Sequence, residues 1–402
     1  MPLHYFNHII KTVDELPIHE GDRVFLRCDF NVPLDKNRNI LDDTRIRASL
    51  PTIQYLLDKK SKLILASHLG RPKDAPAQEF SLEPVGRRLS ELLKKDVIVA
   101  DDCIGEGIQK VLEDVGPEQI LLLENLRFNS GEKKNNPAFA HHMSLFVDVY
   151  VNDAFGVSHR SDASVEALPH LIKRRGCGFL IQKEVENLTR VLEHPERPYV
   201  AIIGGSKVSD KIGLLRNLMV KADIVLVGGA LAYTLLKAKG VEVGDSLVED
   251  EKLQLAKNLF EKAVQEKVEL VLPCDHIVKK ENEKDSEYIM TENQNIQKGF
   301  CGVDIGPKTI SKFSYYISRA KTIFWNGPLG IYEKPPYDAG TRAIAQLVGE
   351  SSVYSIVGGG DCVAAVAQAG VLHKISHIST GGGASLEFLE GKILPGLMSL
   401  KS

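Results

Sequence analysis

The sequence predicts an α/β protein with two doubly wound parallel-sheet domains joined by a helical hinge. Three observations lead there. Short β-rich runs recur along the chain with helical patterns between them, and that alternation implies parallel sheets wrapped by helices. The runs hold four to six apolar residues without a polar–apolar alternation, as strands buried on both faces do. Eleven such runs exceed what one sheet usually carries, and 402 residues suit two or three domains at roughly 150 residues each.

In the first half the strands are "RVFLRC", "KLILASH", "DVIVAD", "ILLLEN" and "VDVYVND". Arg45 opens a helix in "DDTRIR", and Ser81 is placed to cap a helix with the stripe Val85, Leu89, Leu92 and Leu93. From Pro169 to Pro198 no strand pattern is visible, and the charged text "KRRG", "QKEVENL" and "EHPERP" predicts a tethering helix. The second half supplies "YVAIIGG", "DIVLVGG", "ELVLPCD", "TIFWNG", "VYSIVGGG" and "SHISTGGG". A stripe of Val208, Ile212, Leu215 and Met219 predicts a helix after the first of these. The layout is Rossmann-like: an N-terminal domain over 1–172, a hinge over 173–199 and a C-terminal domain over 200–392. The apolar tail 393–402 is free to pack back on the N-terminal domain.

Composition narrows the function. A net charge of −3 with 26% charged residues gives no global field for nucleic acid or a membrane. No apolar stretch approaches the ~20 residues of a membrane helix, and the N-terminus does not read as a signal peptide. The six cysteines are scattered without a C-x-x-C pair, which predicts reduced thiols, a cytoplasmic setting and no zinc.

In open parallel sheets, ligands sit beyond the carboxyl ends of the strands. Here the halves differ. The first half places Asp29, Asn31, His68, Arg71, Arg127, His159 and Arg160 after strands, with Arg45 at a helix start. Any one arginine could be a solvated surface charge. Three of them after strands, with Arg45 at a helix start, predict an anion pocket, because the guanidinium fork pairs with phosphate and carboxylate oxygens. The second half places glycines there: Gly204-Gly205, Gly228-Gly229, Gly327, Gly358-Gly359-Gly360 and Gly381-Gly382-Gly383. Glycine lets backbone N–H groups approach a ligand, and a helix beginning there adds partial positive charge. Repeated at several strand ends, this predicts a polyphosphate and hence a nucleotide. Asp361, directly after one such turn, reads either as a Mg²⁺ ligand beside phosphate or as a helix N-cap. Lys207 and Lys211, spaced i, i+4, are expected on one face of a helix start, where a bound phosphate would offset their conflict with the helix dipole. Neither G-x-x-x-x-G-K-[ST] nor G-x-G-x-x-G opening a helix after a first strand occurs, which argues against a P-loop protein and a dinucleotide-dependent oxidoreductase.

Over nearly its whole length the chain resembles the phosphoglycerate kinase family. The carriers are "RCDFNVPLD", "DDTRIRASLPTI", "ASHLGRPK", "LLENLRFNSGEKKN", "VNDAFGVSHR", "GGSKVSDKI", "FWNGPLGIYE", "GGGDCVAAV" and "STGGGASLEFLEGKILPG". The resemblance implies a glycolytic transferase that moves a phosphoryl group between 1,3-bisphosphoglycerate and ADP, with Mg²⁺, giving 3-phosphoglycerate and ATP. Two ligands on separate domains can react only if the hinge bends and the domains close, and the chain is read as a cytoplasmic monomer with no nucleic acid or membrane partner. By motif, Asp29, Asn31, Arg45, His68, Arg71, Arg127 and Arg160 would hold 3-phosphoglycerate, with Arg45 nearest the reacting carboxyl group. Lys211, Gly228, Gly229, Gly302, Val303, Asn326, Glu333, Gly359, Gly360, Asp361 and Cys362 would hold the nucleotide, Asp361 also binding Mg²⁺. Lys207, Gly382 and Gly383 would follow the phosphoryl group in transit. Two departures from the family pattern stand out. Cys362 replaces a hydroxyl residue, and "GVSHRSDAS" brings in Ser158 and the negative charge of Asp162.

Overall fold

The computed structural model describes residues 9–72, 75–116, 119–280 and 288–401. Residues 1–8 of the N-terminal stretch and residue 402 of the tail therefore lie outside the described residues. The chain forms two compact units, Met1–Glu186 with Ile393–Ser402, and Asn187–Lys392.

In the first unit six strands form one parallel sheet: β1 (Arg23–Arg27), β2 (Lys62–Ala66), β3 (Val97–Val99), β4 (Ile120–Leu122), β5 (Val149–Asn152) and β6 (Arg174–Cys177), in the order β3-β4-β2-β1-β5-β6. Helix α1 (Thr44–Asp58) starts beside Arg45; α2 (Glu83–Leu93) has Leu82 and not the expected Ser81 as its N-cap, Ser81 lying one residue further out with its Oγ accepting the Glu83 amide at 3.2 Å. Apolar residues of both sheet and helices, among them Leu26, Leu65, Ile53, Leu56 and Leu89, make one core. From β1 the chain moves one way along the sheet to β2, and from the adjacent β5 it moves the other way to β6, so the β1 and β5 ends flank the switch point where ligands collect.

The segment expected to be purely helical tether contains β6, which pairs with β5. It carries no apolar signature because it is an edge strand. Arg174 is ion-paired with Asp22 at 2.6 Å, and Gly176 is required because a Cβ there would lie 2.3 Å from Lys11 O. Helix α3 (Phe179–Glu193) comes next, and the division between the units falls within it. The tail belongs to the first unit: Leu394, Leu397 and Leu400 are buried, and the Gly396 amide donates to Ser158 O at 2.9 Å.

The second unit has a six-stranded parallel sheet and a small antiparallel one. The strands are β7 (Tyr199–Ile203), β8 (Ile224–Val227), β9 (Glu269–Val271), β10 (His276–Lys280), β11 (Ile289–Met290), β12 (Phe300–Ile305), β13 (Thr322–Asn326), β14 (Tyr354–Gly358) and β15 (His377–Ser379). The orders are β15-β14-β13-β7-β8-β9 and β11-β10-β12. The small sheet is not evident in the sequence, because its strands are short and partly polar. The helices that matter to the site are α4 (Ile212–Lys221), α5 (Leu231–Ala238), α6 (Gly360–Gln368) and α7 (Gly383–Leu389). Trp325 and Phe313 anchor the core.

Candidate functional site

At the first unit's switch point, the turns after β1 and β2 are tied together. Asn31 Oδ1 accepts the Gly70 amide at 2.8 Å, and Ser67 Oγ accepts the Phe30 amide at 2.8 Å. Arg45, on the first turn of α1, donates to Asp29 Oδ2 at 2.6 Å, so its guanidinium is aimed by a carboxylate that is itself nearly buried. His68 is buried, and both burial and the charges of Arg27, Arg127, Arg160 and Arg45 hold its pKa well below the ordinary range. Four guanidinium groups thus converge on one neutral imidazole, as an anion pocket requires.

Arg127 is 3% exposed and donates one Nη1 bond to Gly70 O at 2.9 Å. Its Nε and Nη2 meet no hydrogen-bond acceptor among the described residues. Burial and the Arg160 charge bring its pKa down to about 10. Buried donors left without acceptors are costly, so an oxyanion is the natural complement. The departure residue Asp162 lies inside this pocket: its Oδ2 is 3.8 Å from Arg127 Nη2, and its charge partly supports the guanidinium. Ser158, the other departure, faces away, donating to Ala154 O at 3.1 Å. Arg160 is half-buried and Arg71 exposed.

Arg27 is a functional candidate that sequence reasoning missed. It is fully buried beneath the pocket, donates Nε to Ser164 Oγ at 2.8 Å, and lies 3.5 Å from His68 Nδ1 and 3.9 Å from Glu132 Oε1. The one sequence signal is an arginine ending an apolar strand.

The second unit's switch point is backbone against backbone. The Gly204 amide donates to Asn326 O at 2.9 Å and the Gly205 amide to Pro328 O at 3.0 Å. A Cβ on Gly204 would lie 2.1 Å from Pro328 O, and one on Gly327 would lie 2.3 Å from Gly204 O. Only glycine allows the β7 and β13 turns this close. Around them is a cavity of about 470 Å³ lined in part by Gly205, Gly229, Gly302, Val303, Glu333 and Asp361. Gly228, next to Gly229, packs on the lining residue Leu329, where a Cβ would lie 2.6 Å from Leu329 Cδ2. Lys211 is bonded to Asn326 Oδ1, Asn326 Nδ2 donates to Gly358 O at 2.8 Å, and burial lowers the Lys211 pKa. Gly359, at φ +91, caps α6, and Gly382, at φ +52, caps α7, so the helix starts at Gly360 and Gly383 present backbone amides.

Two expectations need correction, and a third residue keeps its assignment through the main chain. Helix α4 starts at Ile212, so Lys207 sits on an exposed turn and shares no helix face with Lys211, which is the N-cap. The cap of α6 is Gly359, and Asp361 is an exposed carboxylate in the first turn, which removes the capping alternative. The Cys362 side chain is buried, with Sγ 4.0 Å from Trp325 O and its pKa pushed up to about 12 by burial, so only its backbone can face a ligand.

Residues 13–392 match the family model described as phosphoglycerate kinase. A phosphoglycerate kinase of Anaeromyxobacter sp. (strain Fw109-5) is 52% identical over 394 residues, covering 98% of this chain and 99% of that protein. One from Clostridium botulinum (strain Hall) is 46% identical over 396 residues, with the same coverage of 98% and 99%. Among solved structures, the phosphoglycerate kinase of Coxiella burnetii superposes with a TM-score of 0.87 at 42% identity, covering 97% of this chain and 98% of that one. The enzyme of Pyrococcus horikoshii OT3 gives 0.84 at 30% identity, with the same 97% and 98% coverage.

Proposed function

The chain belongs to the phosphoglycerate kinase family, and on that premise we propose how its residues divide the reaction. It is a kinase: a phosphoryl group passes between 1,3-bisphosphoglycerate and ADP, giving 3-phosphoglycerate and ATP in glycolysis.

The observation that carries our assignment of the acidic substrate is Arg127, a buried guanidinium with two donors unclaimed by the described residues. We assign 3-phosphoglycerate to the first unit, held by Asn31, His68, Arg71, Arg127 and Arg160. Neutral His68 can offer a ring N–H without adding charge. Asp29 orients Arg45, and Arg45 stands nearest the carboxyl group that gives or receives the phosphoryl.

We assign ATP and ADP to the second unit. The base lies along Gly228-Gly229 and Gly302-Val303, and the ribose is met by Glu333. The phosphates are met by Lys211, Asn326 and the amides of Gly359, Gly360, Asp361 and Cys362. The described residues hold no cluster of three metal-ligating side chains. Mg²⁺, which typically takes one or two carboxylates plus phosphate oxygens, fits Asp361, an exposed carboxylate on the cavity wall. When bound it neutralises phosphate charge.

A carboxylate acceptor needs no strong general base, so catalysis rests on alignment and charge. In our reading Arg45, Lys207 and the amides at Gly382 and Gly383 meet the equatorial oxygens in transit. Reacting atoms must come within roughly 3–3.5 Å, so we propose that the units close during turnover by bending at residues 173–199. Six scattered cysteines without a C-x-x-C pair and the low net charge support a cytoplasmic setting without nucleic acid, and we read the enzyme as a monomer.

A coupled assay with 3-phosphoglycerate, ATP and Mg²⁺ tests the reading. Lys207→Ala should lower kcat about 100-fold while nucleotide KM moves little, as for a contact that strengthens in the transition state. Equal losses in both would remove Lys207 from that role. A scattering radius unchanged by both substrates together would remove the closure.

A further inference from the structure

The turn that carries Lys207 has little to fix it locally. It lies between β7 and α4 in no regular structure, and Lys207 itself is exposed. Two features tie it down. Val208 is fully buried, and Ser209 spends both its donors on one distant carboxylate: its amide donates to Glu249 Oε2 at 3.0 Å and its hydroxyl to Glu249 Oε1 at 2.5 Å. Glu249 is fixed in turn. Its amide donates to Thr234 Oγ1 at 3.1 Å, and Thr234 is a buried residue of α5.

The segment around Glu249 also frames the cavity. Ser246 Oγ accepts the Gly302 amide at 2.9 Å, and Leu247 lines the wall. Three neighbouring residues thus set one edge of the cavity, part of its wall and the approach of the Lys207 turn. Burial alone would raise the Glu249 carboxyl, but the Ser209 hydroxyl and amide, the Val208 amide and the Lys207 charge outweigh it and hold the group below its usual range. The carboxylate is therefore ionised at neutral pH and accepts through both oxygens.

We propose that Glu249 is a positioning residue for phosphoryl transfer: by clamping Ser209 from both donors it sets the direction in which Lys207, two residues earlier, reaches toward the group in transit. The inference rests on the transit role given to Lys207 above. It assigns Glu249 no contact with substrate. It makes the Lys207 turn one rigid piece with α5 and the cavity wall, so that the ammonium is preorganised instead of being recruited at each turnover.

The test is a double-mutant cycle of Glu249→Ala and Lys207→Ala, read as kcat and nucleotide KM, with amide hydrogen exchange over residues 205–211. E249A should lower kcat about tenfold with nucleotide KM changed less than about threefold. In the K207A background the same substitution should cost less than about twofold. Exchange at Ser209 should quicken in E249A, and E249Q, keeping one acceptor without charge, should fall between. Equal kcat losses in both backgrounds, or unchanged exchange, overturn the proposal. Should E249A fail to fold, E249Q and S209A carry the same cycle. A K207A enzyme with near-native turnover sinks the transit reading instead, and the exchange result then decides alone whether Glu249 holds the turn.

Discussion

The two units build their ligand sites from different material. The first uses long side chains: guanidinium groups around His68, aimed by Asp29 and backed by the buried Arg27 and Glu132. The second uses main chain: glycine turns pressed against one another and two glycine-capped helix starts. A side-chain site carries strong charge, but each group can be removed singly. A main-chain site has no group to delete, and its weak point is the space that a Cβ would fill. The same conservative change should therefore hurt the two units in different measurable quantities.

The largest effect is expected at Arg45. Removing a donor that meets charge developing in transit costs about 100- to 1,000-fold in kcat, so Arg45→Ala should fall in that range with the thermal midpoint little changed. Its partner Asp29 keeps some contact with solvent, with 11% of its side chain exposed, and water can replace the lost donor. If kcat held and only the glycerate KM rose, Arg45 would be a binding group like its neighbours, and the contrast between reacting and holding arginines would fail.

Gly229→Ala should give the reverse pattern. Gly229 has φ +69, and a Cβ there would lie 2.6 Å from Gly205 O. Left-handed backbone and a backbone clash together should cost about 2–3 kcal/mol of stability, read as a lower midpoint for the second unit's transition. Nucleotide affinity should fall while 3-phosphoglycerate affinity, measured by titration, stays. A G229A protein of native stability would show that the turns have slack enough to admit a methyl group.

Arg71→Ala should be milder. Arg71 is exposed, so its loss should raise the glycerate KM about tenfold with kcat nearly intact, the mark of uniform binding. Arg127→Ala is a useful foil, because it empties a buried position and should lower both stability and affinity.

Much of this contrast is legible in the sequence because it depends on the few residues just past each strand. "SHLGR" and "LENLRF" deliver cations, "VGGG" and "STGGG" deliver amides, and the apolar runs before them mark where the sheet ends. The hidden part depends on partners far along the chain. Arg27 finds Ser164 across 137 residues, and Glu249 finds Ser209 across 40, with no local pattern to announce either. Strand β6 is hidden because "RRGC" satisfies its arginines by ion pairing and by a carbonyl of the tail. The Lys207–Lys211 spacing suggests a helix, but Gly205 at φ +118 and the turn after it delay the helix to Ile212.

The smallest expected effect separates the units through one substitution followed against pH. Asp304 sits on β12, beside the cavity residue Val303, and accepts the Ile305 and Gly340 amides at 2.9 and 2.6 Å. Burial raises its pKa from the ordinary 3.8 to about 7. A carboxyl whose folded pKa is raised binds a proton in the folded state that the unfolded chain has lost, so its contribution is complete below 3.8 and declines as pH rises toward 7. His276 on β10 works in the opposite sense: burial lowers its pKa from 6.5 to about 4, so stability is present above 6.5 and lost as pH falls toward 4. Between those values the two slopes oppose each other, and of this pair only the Asp304 contribution still changes from 6.5 upward. Asp304→Asn should therefore start less stable, because its amide cannot accept both N–H bonds, but should lose less on going from about pH 6 to about pH 8. The gap in midpoint between the two proteins should narrow by a few degrees, about 1 kcal/mol. The first unit's transition should be indifferent to the substitution, and a matching change there would show that the two cores do not melt independently.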